Sequence, residues 1–485
     1  MARDDRHHPL LDHRRYLRRG RLGHVHRRFH AHHRFGVPAV TERALVYGVA
    51  VAGLATVRAL VDRNVDVVAV DDQPSPTKSS ALAAMGVELR AAPDDVELGS
   101  LIAACDVVVP APGVPESHRV VLAAQKAGRR IATELDLAYD WESTRVGGPR
   151  PIVAVTGTDG KTTTTLLAAA MIQSAGRATV ACGNTEVPMV EALAMDVDCF
   201  VVEATSFRLA FTTTFRADAA AWLNLAPDHL DWHESMKTYE SAKARLWAHV
   251  RPSDTAIGWV DDPIVMRHLG RAACRRVTFG LDQADYKLVD ASLMGPDGAI
   301  GDVASMRRAL PHDITNALCA SALVIESGLA DVRAIGAALG DFEAPHHRIE
   351  FVGMHDDISW YDDSKATTPH AVRTALRGFG NVVLIAGGRN KGLDLSPIAD
   401  ESARIRAVVA IGDAADEIAA VFAGRRPVEH ASSMSEAVET ARRLARSGDT
   451  VLLSPGCTSF DWYDGYARRG EDFTRCVRDL MGVSR

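Results

Sequence analysis

The fold of this chain is decided by one stretch, Val153-Ala154-Val155-Thr156-Gly157-Thr158-Asp159-Gly160-Lys161-Thr162-Thr163. Its apolar half predicts a buried strand, and the glycine turn after it predicts a helix that begins at Lys161. Backbone N–H groups at such a helix N-terminus bind anions, while the lysine reaches terminal phosphates and the Thr162 hydroxyl binds Mg²⁺. Val155 stands where a strict GxxxxGKT loop has its first glycine. The stretch therefore predicts a variant nucleotide-phosphate loop.

On both sides of this loop, from residue 44 onward, short apolar runs alternate with alanine-rich helical stretches. This alternation is typical of α/β domains with mainly parallel sheets. The glycine and proline cluster at 147–151 predicts one domain boundary, and the segment 341–345, which follows a predicted helix and ends in Pro345, predicts a second. We expect an N-terminal Rossmann-like domain (43–148), a central phosphate-loop ATPase domain (149–344) and a C-terminal Rossmann-like domain (345–485). The predicted strands are 44–50, 65–71, 106–110, 152–156, 178–182, 198–204, 219–225, 255–260, 357–361, 381–386, 407–411 and 450–454.

The composition excludes several classes of protein. The chain has 485 residues, of which 47% are hydrophobic and 24% charged, and its net charge of −7 argues against general nucleic-acid binding. No apolar run approaches the roughly 20 residues that span a bilayer, and no secretory signal is expected. Seven scattered cysteines without CxxC spacing favour a reducing cytoplasm. Residues 1–42, rich in arginine and histidine, are expected to form a disordered basic extension, with a basic binding arm or a metal-binding tract as the alternative.

The loop sequence TGTDGKTTT, which begins at Thr156, resembles the phosphate loop of the Mur ligase family. The commonest form of that loop has Asn at the position of Asp159. An extra carboxylate repels phosphates unless it meets Mg²⁺ or an N–H group, so the role of Asp159 stays open. The resemblance implies that ATP is bound by Gly157, Thr158, Asp159, Gly160, Lys161, Thr162 and Thr163.

Further motifs imply a metal centre next to the loop. Glu203 ends an apolar strand, and the segments NLAPDHLD (224–231) and YESAK (239–243) resemble motifs of the same family. By this resemblance Thr162 and Glu203 hold one Mg²⁺, His229 and Lys243 serve a second, and Lys161, His229 and Lys243 are catalytic. An ammonium cannot lie against Mg²⁺, and in the family this lysine is carbamylated. Taken alone, Lys243 also fits a solvated helix lysine.

Motifs in the last third of the chain resemble those that complete the nucleotide site and bind the incoming amino acid. The segments HDITN (312–316), HHR (346–348) and DDSKAT (362–367) carry the resemblance. They imply contacts to ATP from Asn316, Arg348 and Asp363. The two carboxylates of glutamate require at least two cations or equivalent donors. The expected D-glutamate pocket contains Lys365, Thr367, Lys391, Ser459 and Phe460.

The first domain contains GVAVAG at 48–53, a weakened GxGxxG motif with acidic residues about 20 positions further on. Taken alone, this motif could bind a dinucleotide. Within the Mur ligase resemblance it implies a UDP-substrate site. The implied contacts are Gly48, Asp71, Asp72, Gln73 and Gly113, together with Asn184 of the central domain.

The segments 453–461 and 466–470 resemble the D-glutamate-adding members of the family. We therefore expect a cytoplasmic, monomeric ligase that uses ATP and Mg²⁺ to join UDP-N-acetylmuramoyl-L-alanine and D-glutamate through an acyl phosphate, in peptidoglycan synthesis. The alternatives are an L-glutamate-adding or folate polyglutamate ligase of the same family, an NAD-dependent oxidoreductase and an inactive nucleotide-binding paralogue. The joint presence of Lys161, Glu203, His229, Lys243 and Lys365 disfavours the last two.

Overall fold

The computed structural model describes residues 42–482. Three α/β units follow one another in this range, each built on a mainly parallel sheet, and a small antiparallel sheet accompanies the second unit. The mixed α/β architecture expected from the sequence is confirmed. The predicted extension lies outside the described residues, apart from Glu42. Among the described residues, no helix is long and apolar enough to cross a membrane.

The first unit has five parallel strands in the order β3-β2-β1-β4-β5. Alternate residues of β1 after Arg43 belong to separate buried clusters on the two sheet faces, which is why residues 44–47 are hydrophobic without alternation. The strands are β1 Arg43–Tyr47, β2 Asp66–Asp71, β3 Leu89–Ala91, β4 Val107–Pro110 and β5 Arg130–Ile131. The helices are α1 Val51–Val61, α2 Pro76–Ala84, α3 Asp95–Ala103, α4 Arg119–Lys126 and α5 Glu134–Ser143.

The second unit has six parallel strands in the order β11-β10-β9-β6-β8-β7, so that β6 lies between β8 and β9. The segments that follow these three strands therefore meet at one edge of the sheet. The strands are β6 Ile152–Thr156, β7 Thr179–Gly183, β8 Cys199–Glu203, β9 Ala219–Trp222, β10 Thr255–Trp259 and β11 Arg275–Phe279. The helices are α6 Lys161–Ser174, α7 Met189–Ala192, α8 Ser206–Leu209, α9 Met236–Ala244, α10 Pro263–Leu269, α11 Pro311–Glu326 and α12 Val332–Asp341.

A three-stranded antiparallel sheet was not predicted from the sequence. Its strands are β12 Lys287–Val289, β13 Ser292–Gly295 and β14 Gly298–Asp302. Only two of its large apolar side chains, Leu293 and Ile300, are fully buried, and they join the cluster that contains α11 and α12. Strands of three to five residues, two of them containing glycines, are too short to show the alternating pattern on which a prediction depends.

The third unit has six strands in the order β15-β16-β20-β17-β18-β19, all parallel except the pair β15 and β16. Apolar clusters cover both faces of this sheet. The strands are β15 Glu350–His355, β16 Ile358–Asp362, β17 Val382–Gly387, β18 Ile405–Ile411, β19 Val428–Ala431 and β20 Thr450–Gly456. The helices are α13 Pro369–Leu376, α14 Ala415–Phe422, α15 Met434–Leu444 and α16 Tyr466–Leu480.

Candidate active site

The phosphate loop connects β6 to α6, as the sequence predicted. Gly160 precedes the helix with φ of +84°, a left-handed conformation that favours glycine. A Cβ atom at this position would lie 2.8 Å from Oδ1 of Asn316. Glycine is therefore required here both for the turn and for the close approach of α11. The first turn of α6 points its free N–H groups toward this edge of the sheet.

The side chain of Asn224 binds the backbone of the phosphate loop, a role that was not predicted from the sequence. Its Oδ1 accepts hydrogen bonds from the backbone N–H groups of Thr158 and Asp159, both at 2.9 Å. Its Nδ2 donates to the carbonyl of Asp159 at 3.2 Å. Strand β9 ends at Trp222, three residues earlier than expected, and this early end frees the backbone of Asn224 for the loop. The sequence signal that could have indicated this role is the position of Asn224 shortly after the buried strand β9.

Two lysines converge on one carbonyl of the loop. Lys161 Nζ donates to the carbonyls of Gly157 and Thr158 at 3.0 and 2.8 Å, and Lys243 Nζ donates to Gly157 at 2.6 Å. The Lys243 side chain is only 1% exposed. Burial, followed by the charge of Lys161, holds the pKa of Lys243 well below its ordinary value. Lys243 is therefore a buried amine next to the phosphate loop rather than a solvated surface lysine.

His229 lies on the loop that follows Asn224 and has a positive φ of 56°. Its Nε2 is 3.1 Å from Oδ2 of Asp228, whose Oδ1 accepts a hydrogen bond from Lys391 Nζ at 2.9 Å. Burial lowers the pKa of His229 to about 4, against the opposing charge of Asp228. The imidazole is therefore neutral near pH 7, the state in which it can ligate a metal.

Glu203 ends β8 and is almost fully buried. Its Oε1 accepts a hydrogen bond from Asn184 Nδ2 at 3.1 Å, but its Oε2 is buried without a hydrogen-bond partner in the described part of the chain. A buried carboxylate oxygen with no partner is costly, and a bound cation satisfies it. Asn184 Oδ1 in turn accepts from Arg208 Nη1 at 2.7 Å, and Arg208 Nε donates to Glu134 at 2.9 Å. Asn184 thus orients Glu203 in this structure.

Three polar contacts connect the third unit to the phosphate-loop edge. Arg348 Nη2 donates to the Thr162 hydroxyl at 3.1 Å. His370 Nδ1 lies 2.6 Å from Oδ2 of Asp159, and Lys391 pairs with Asp228 as described above. Each contact places a basic side chain of the third unit against a group at the nucleotide or metal region. Arg348 and Lys391 were predicted from the sequence to be site residues, whereas His370 was not.

Between the second and third units lies a cavity of about 290 Å³. It brings together seven residues that the sequence analysis selected, namely Asp159, Gly160, Thr163, Asn316, Arg348, Asp363 and Lys365. The lining also includes Trp259 and Phe279, aromatic side chains at the ends of β10 and β11 that no motif had indicated. A cavity with phosphate-binding backbone at one end and aromatic rings in its lining has the chemistry of a nucleotide site.

Arg308 fixes the connection between the two units that form this cavity. Both of its terminal nitrogens are engaged: Nη2 donates to Asp313 at 2.7 Å, and Nη1 donates to the carbonyls of Arg348 and Ile349 at 2.7 and 2.6 Å. Asp313 also accepts the Leu310 N–H at 3.1 Å and so helps to cap α11. Asp313 therefore orients the segment that carries Arg348 indirectly, because it holds the Arg308 side chain that binds the carbonyls of that segment.

The DDSKAT segment places two groups with perturbed acidity at the cavity. Burial, despite a 2.7 Å hydrogen bond from Ser454, raises the pKa of Asp363 to about 8. Burial, followed by the charge of Arg348, lowers the pKa of Lys365 to about 8. The Lys365 ammonium lies 3.7 Å from the centroid of the Tyr466 ring. Such paired shifts in a cleft are typical of functional sites.

The remaining residues of the expected glutamate pocket differ in exposure. Thr367 is partly buried and Ser459 is buried, whereas Phe460 is 60% exposed. Arg469, which the sequence analysis did not select, holds the two loops that carry them. Its guanidinium donates to Oγ and the carbonyl of Ser364, at 3.0 and 2.9 Å, and to the carbonyls of residues 457 and 458, both at 3.1 Å.

The expected UDP-substrate residues of the first unit lie at the carboxyl ends of β1, β2 and β4, whereas Asn184 follows β7 of the second unit. Asp71 accepts the N–H groups of Val49 and Gln73, each at 2.8 Å, and thereby holds the glycine turn. Asp72 accepts a hydrogen bond from Tyr47 at 2.6 Å. Burial and this bond raise the pKa of Tyr47 to about 12. Gly48 forms the turn itself, while Gln73 and Gly113 are exposed at the same edge.

One cluster of acidic and imidazole side chains consists of residues other than the expected metal ligands. In the part of the chain that the structure describes, only His347, Glu350 and Asp362 place three such ligand atoms within 4.8 Å of one another. These groups already satisfy each other, since His347 Nδ1 is 2.6 Å from Asp362 and the His347 N–H donates to Glu350 at 3.0 Å. The cluster stabilises the segment before β15, next to Arg348.

Each of the three units contains a stretch that matches one family of proteins. Residues 42–133 match the Mur ligase MurD-like N-terminal domain, 155–324 the Mur ligase middle domain, and 347–457 the Mur ligase glutamate ligase domain. A UDP-N-acetylmuramoylalanine–D-glutamate ligase from Frankia casuarinae is 43% identical, over 90% of this chain and 94% of the relative. The chain belongs to the Mur ligase family. An enzyme of the same name from Mycolicibacterium smegmatis is 36% identical, over 91% of this chain and 97% of that relative.

Solved structures of Mur ligases share the fold at low sequence identity. A pseudomurein peptide ligase type C from Methanothermus fervidus has a TM-score of 0.56 at 16% identity, covering 91% of this chain and 99% of that one. A UDP-N-acetylmuramate–alanine ligase from Thermotoga maritima has a TM-score of 0.54 at 18% identity, with 90% and 99% covered. The three-domain Mur ligase fold expected from the sequence is thus confirmed. The expected relationship to the D-glutamate-adding members is confirmed by the sequence relatives.

Proposed function

We propose that this Mur ligase is an ATP-dependent enzyme that adds D-glutamate to UDP-N-acetylmuramoyl-L-alanine in peptidoglycan synthesis. One observation carries the proposal: relatives that bear this activity in their names match the chain at 35–43% identity over 90–91% of its length. The groups around the phosphate loop agree with it, because they suit phosphoryl transfer from ATP. We place the reaction in the cytoplasm and propose a monomer, since one chain supplies the phosphate loop and the basic groups facing it.

The first chemical step is phosphoryl transfer. The carboxylate of the UDP-linked substrate attacks the γ-phosphorus of ATP, the bond to ADP breaks, and an acyl phosphate forms. The loop N–H groups and Lys161 stabilise the negative charge that develops on the transferred group. The hydroxyl of Thr162 and the Arg348 guanidinium lie together at the same helix end, where they orient the terminal phosphates.

The metal-binding groups are proposed to be Thr162 and Glu203 for one Mg²⁺ and His229 and Lys243 for a second. The unpaired Oε2 of Glu203 suits a hard cation such as Mg²⁺, and the neutral imidazole of His229 has a lone pair available for a cation. When bound, Mg²⁺ would neutralise charge on the phosphates. We further propose that Lys243 is carbamylated, because the un-ionised amine that burial favours is the form that reacts with CO₂.

The second step forms the amide. The neutral amine of D-glutamate attacks the acyl carbon, and phosphate leaves. Lys365 and Lys391 are proposed to bind the two glutamate carboxylates, because both lie where the third unit faces the phosphate-loop edge. In this structure Lys391 is paired with Asp228, so glutamate binding is expected to exchange or share that partner.

The direct test is product formation from UDP-N-acetylmuramoyl-L-alanine and ATP with a panel of D- and L-amino acids, followed by mass spectrometry. The proposal predicts rapid ATP-dependent amide formation with D-glutamate alone. Preference for L-glutamate, or a product with a folate acceptor, would favour the other ligases of the family. ATP hydrolysis and ligation both absent with every amino acid would favour an inactive paralogue.

Removal of either pocket cation is expected to raise the KM for D-glutamate. Lys365→Ala and Lys391→Ala each lose a charge-assisted contact, which corresponds to roughly a tenfold to hundredfold increase, with a much smaller change in the KM for ATP. Steady-state kinetics with each substrate varied in turn measures this. Lys126→Ala, at an exposed position of α4, is the matched control. Unchanged KM values with full kcat in both variants would place the pocket elsewhere.

Binding of a dicarboxylate is expected to weaken as pH rises through about 8. The pKa of Lys365 is lowered to about 8, so its positive charge is present below that pH and is lost above it. Glutarate has no amine, so its competitive inhibition constant against D-glutamate reports the protein groups. That constant should increase above pH 8 in the wild type and change less in Lys365→Arg, whose charge persists. An equal pH dependence in both proteins would contradict the assignment.

A further inference from the structure

The phosphate loop carries a carboxylate whose charge is balanced from another unit. Oδ2 of Asp159 lies 2.6 Å from Nδ1 of His370, and both side chains are about a quarter exposed. Among residues 42–482, His370 is the only basic side chain within 4.0 Å of the Asp159 carboxylate. The nearest lysine of the loop, Lys161, donates instead to loop carbonyls. The negative charge of Asp159 therefore has one close partner.

Asp159 remains ionised in this position. Burial opposes ionisation, but the hydrogen bond and charge of His370, with smaller contributions from Lys161 and Arg348, lower the pKa of Asp159 below its ordinary value. Asp159 and His370 both line the 290 Å³ cavity. Without a partner, this carboxylate would repel the phosphates that the adjoining N–H groups attract, because charges interact strongly in a partly buried site.

The backbone that carries the Asp159 carboxylate is fixed by Asn224. The N–H of Asp159 is held by Asn224, and its carbonyl accepts from the same side chain. His370 is similarly fixed, since it lies in the first turn of α13, which Thr368 caps through a 3.2 Å bond from the Ala371 N–H. The two side chains therefore meet between rigid elements of the central and C-terminal units.

We infer that His370, from the C-terminal unit, is a positioning residue for ATP. By balancing the charge of Asp159, it makes the phosphate loop compatible with nucleotide phosphates. Nucleotide affinity then depends on contact between the two units at this pair. The inference rests on the proposed function only in that ATP is the nucleotide. It assigns a role to the loop carboxylate and to a histidine that no motif had indicated.

A double-mutant cycle tests the inference through nucleotide binding alone. We measure the Kd of the full-length protein for a non-hydrolysable Mg²⁺–ATP analogue by calorimetry in the wild type, His370→Ala, Asp159→Asn and the double variant. His370→Ala should weaken binding at least about tenfold, because it leaves an unpaired carboxylate next to the phosphates. In the Asp159→Asn background the same substitution should change the Kd by no more than about threefold.

Two further variants serve as controls for the cycle: His370→Gln, which tests the contribution of charge, and a substitution of a surface histidine. Glutamine can donate a hydrogen bond but carries no charge, so His370→Gln should also weaken binding, and only in the Asp159 background. His430→Ala, a 54% exposed histidine on β19, should leave the Kd unchanged. Thermal unfolding confirms that each variant is folded.

Two results would overturn the inference: wild-type affinity in His370→Ala, or an equal loss in both backgrounds. The second would assign His370 a direct or purely structural role. Because calorimetry requires neither amino acid nor turnover, failure of the ligase assay would leave this measurement interpretable, and failure of the cycle would leave the proposed ligase activity standing.

Discussion

Replacement of Lys243 by alanine is expected to lower kcat by at least about a hundredfold, because an anionic metal ligand contributes several kcal/mol to stabilisation of the transition state. As a plain ammonium, this side chain would oppose a cation beside Gly157, and its removal would do little harm. The two states of Lys243 thus predict opposite outcomes. Initial rates of phosphate release, at saturating ATP and Mg²⁺, distinguish them.

Chemical rescue identifies the charge that Lys243 supplies. Acetate or formate at high concentration should enter the space left in Lys243→Ala and restore part of the activity, whereas methylamine should not. Lys243→Arg should be inactive, since guanidinium keeps its positive charge. Lys243→Met, which preserves the apolar stem in this buried position, controls for packing and should fold normally while remaining inactive. A fully active arginine variant would exclude the carbamate.

Loss of the loop lysine should have a comparable effect. Lys161→Ala is expected to reduce kcat/KM by at least about a hundredfold, because the ammonium opposes the charge that develops on the transferred phosphoryl group. The same ammonium bridges two loop carbonyls in this structure, so its loss also removes a contact that shapes the loop. Single-turnover phosphate release in the presence of both other substrates measures the chemical step.

A matched substitution separates this effect from general loss of charge. Lys126→Ala removes an exposed lysine from α4 and should retain full activity. Thermal unfolding of Lys161→Ala should match the wild type, since the ammonium lies at a solvent-accessible loop rather than in the core. Near-normal kcat in Lys161→Ala would mean that the phosphate loop is not where ATP reacts.

Most strands of the three large sheets were predictable from the sequence, because each of these is a short apolar run followed by a turn. The edge strands β3, β5, β11, β15 and β19 were not predicted, because they are very short or carry charged residues. Strands β6 and β8 were placed within a residue at each end. Strand β9 was predicted to extend to residue 225 but ends at Trp222, because Asn224 turns to bind the phosphate loop. A tertiary contact, not a local propensity, sets that boundary.

The candidate site was predictable where function concentrates in short motifs. Lys161, Lys243 and Glu203 were selected by motif. The structure places both lysines on the Gly157 carbonyl and Glu203 beside Val155 of β6, the strand that leads into the loop. The partners Asn224 and His370 were missed, because each acts through contacts with residues 65 to more than 200 positions away. No periodicity or spacing encodes such pairs. Likewise, the pairing of Lys391 with Asp228 appears only once the third unit is folded against the second.

The central claim, amide formation through an acyl phosphate made from UDP-N-acetylmuramoyl-L-alanine, is tested most directly by isotope transfer. The substrate carboxylate is labelled with ¹⁸O and turned over with ATP and D-glutamate, and the released phosphate is examined by mass spectrometry. The account predicts one ¹⁸O atom in each phosphate, because the attacking carboxylate oxygen leaves with the phosphoryl group. Amide product accompanied by unlabelled phosphate would contradict it.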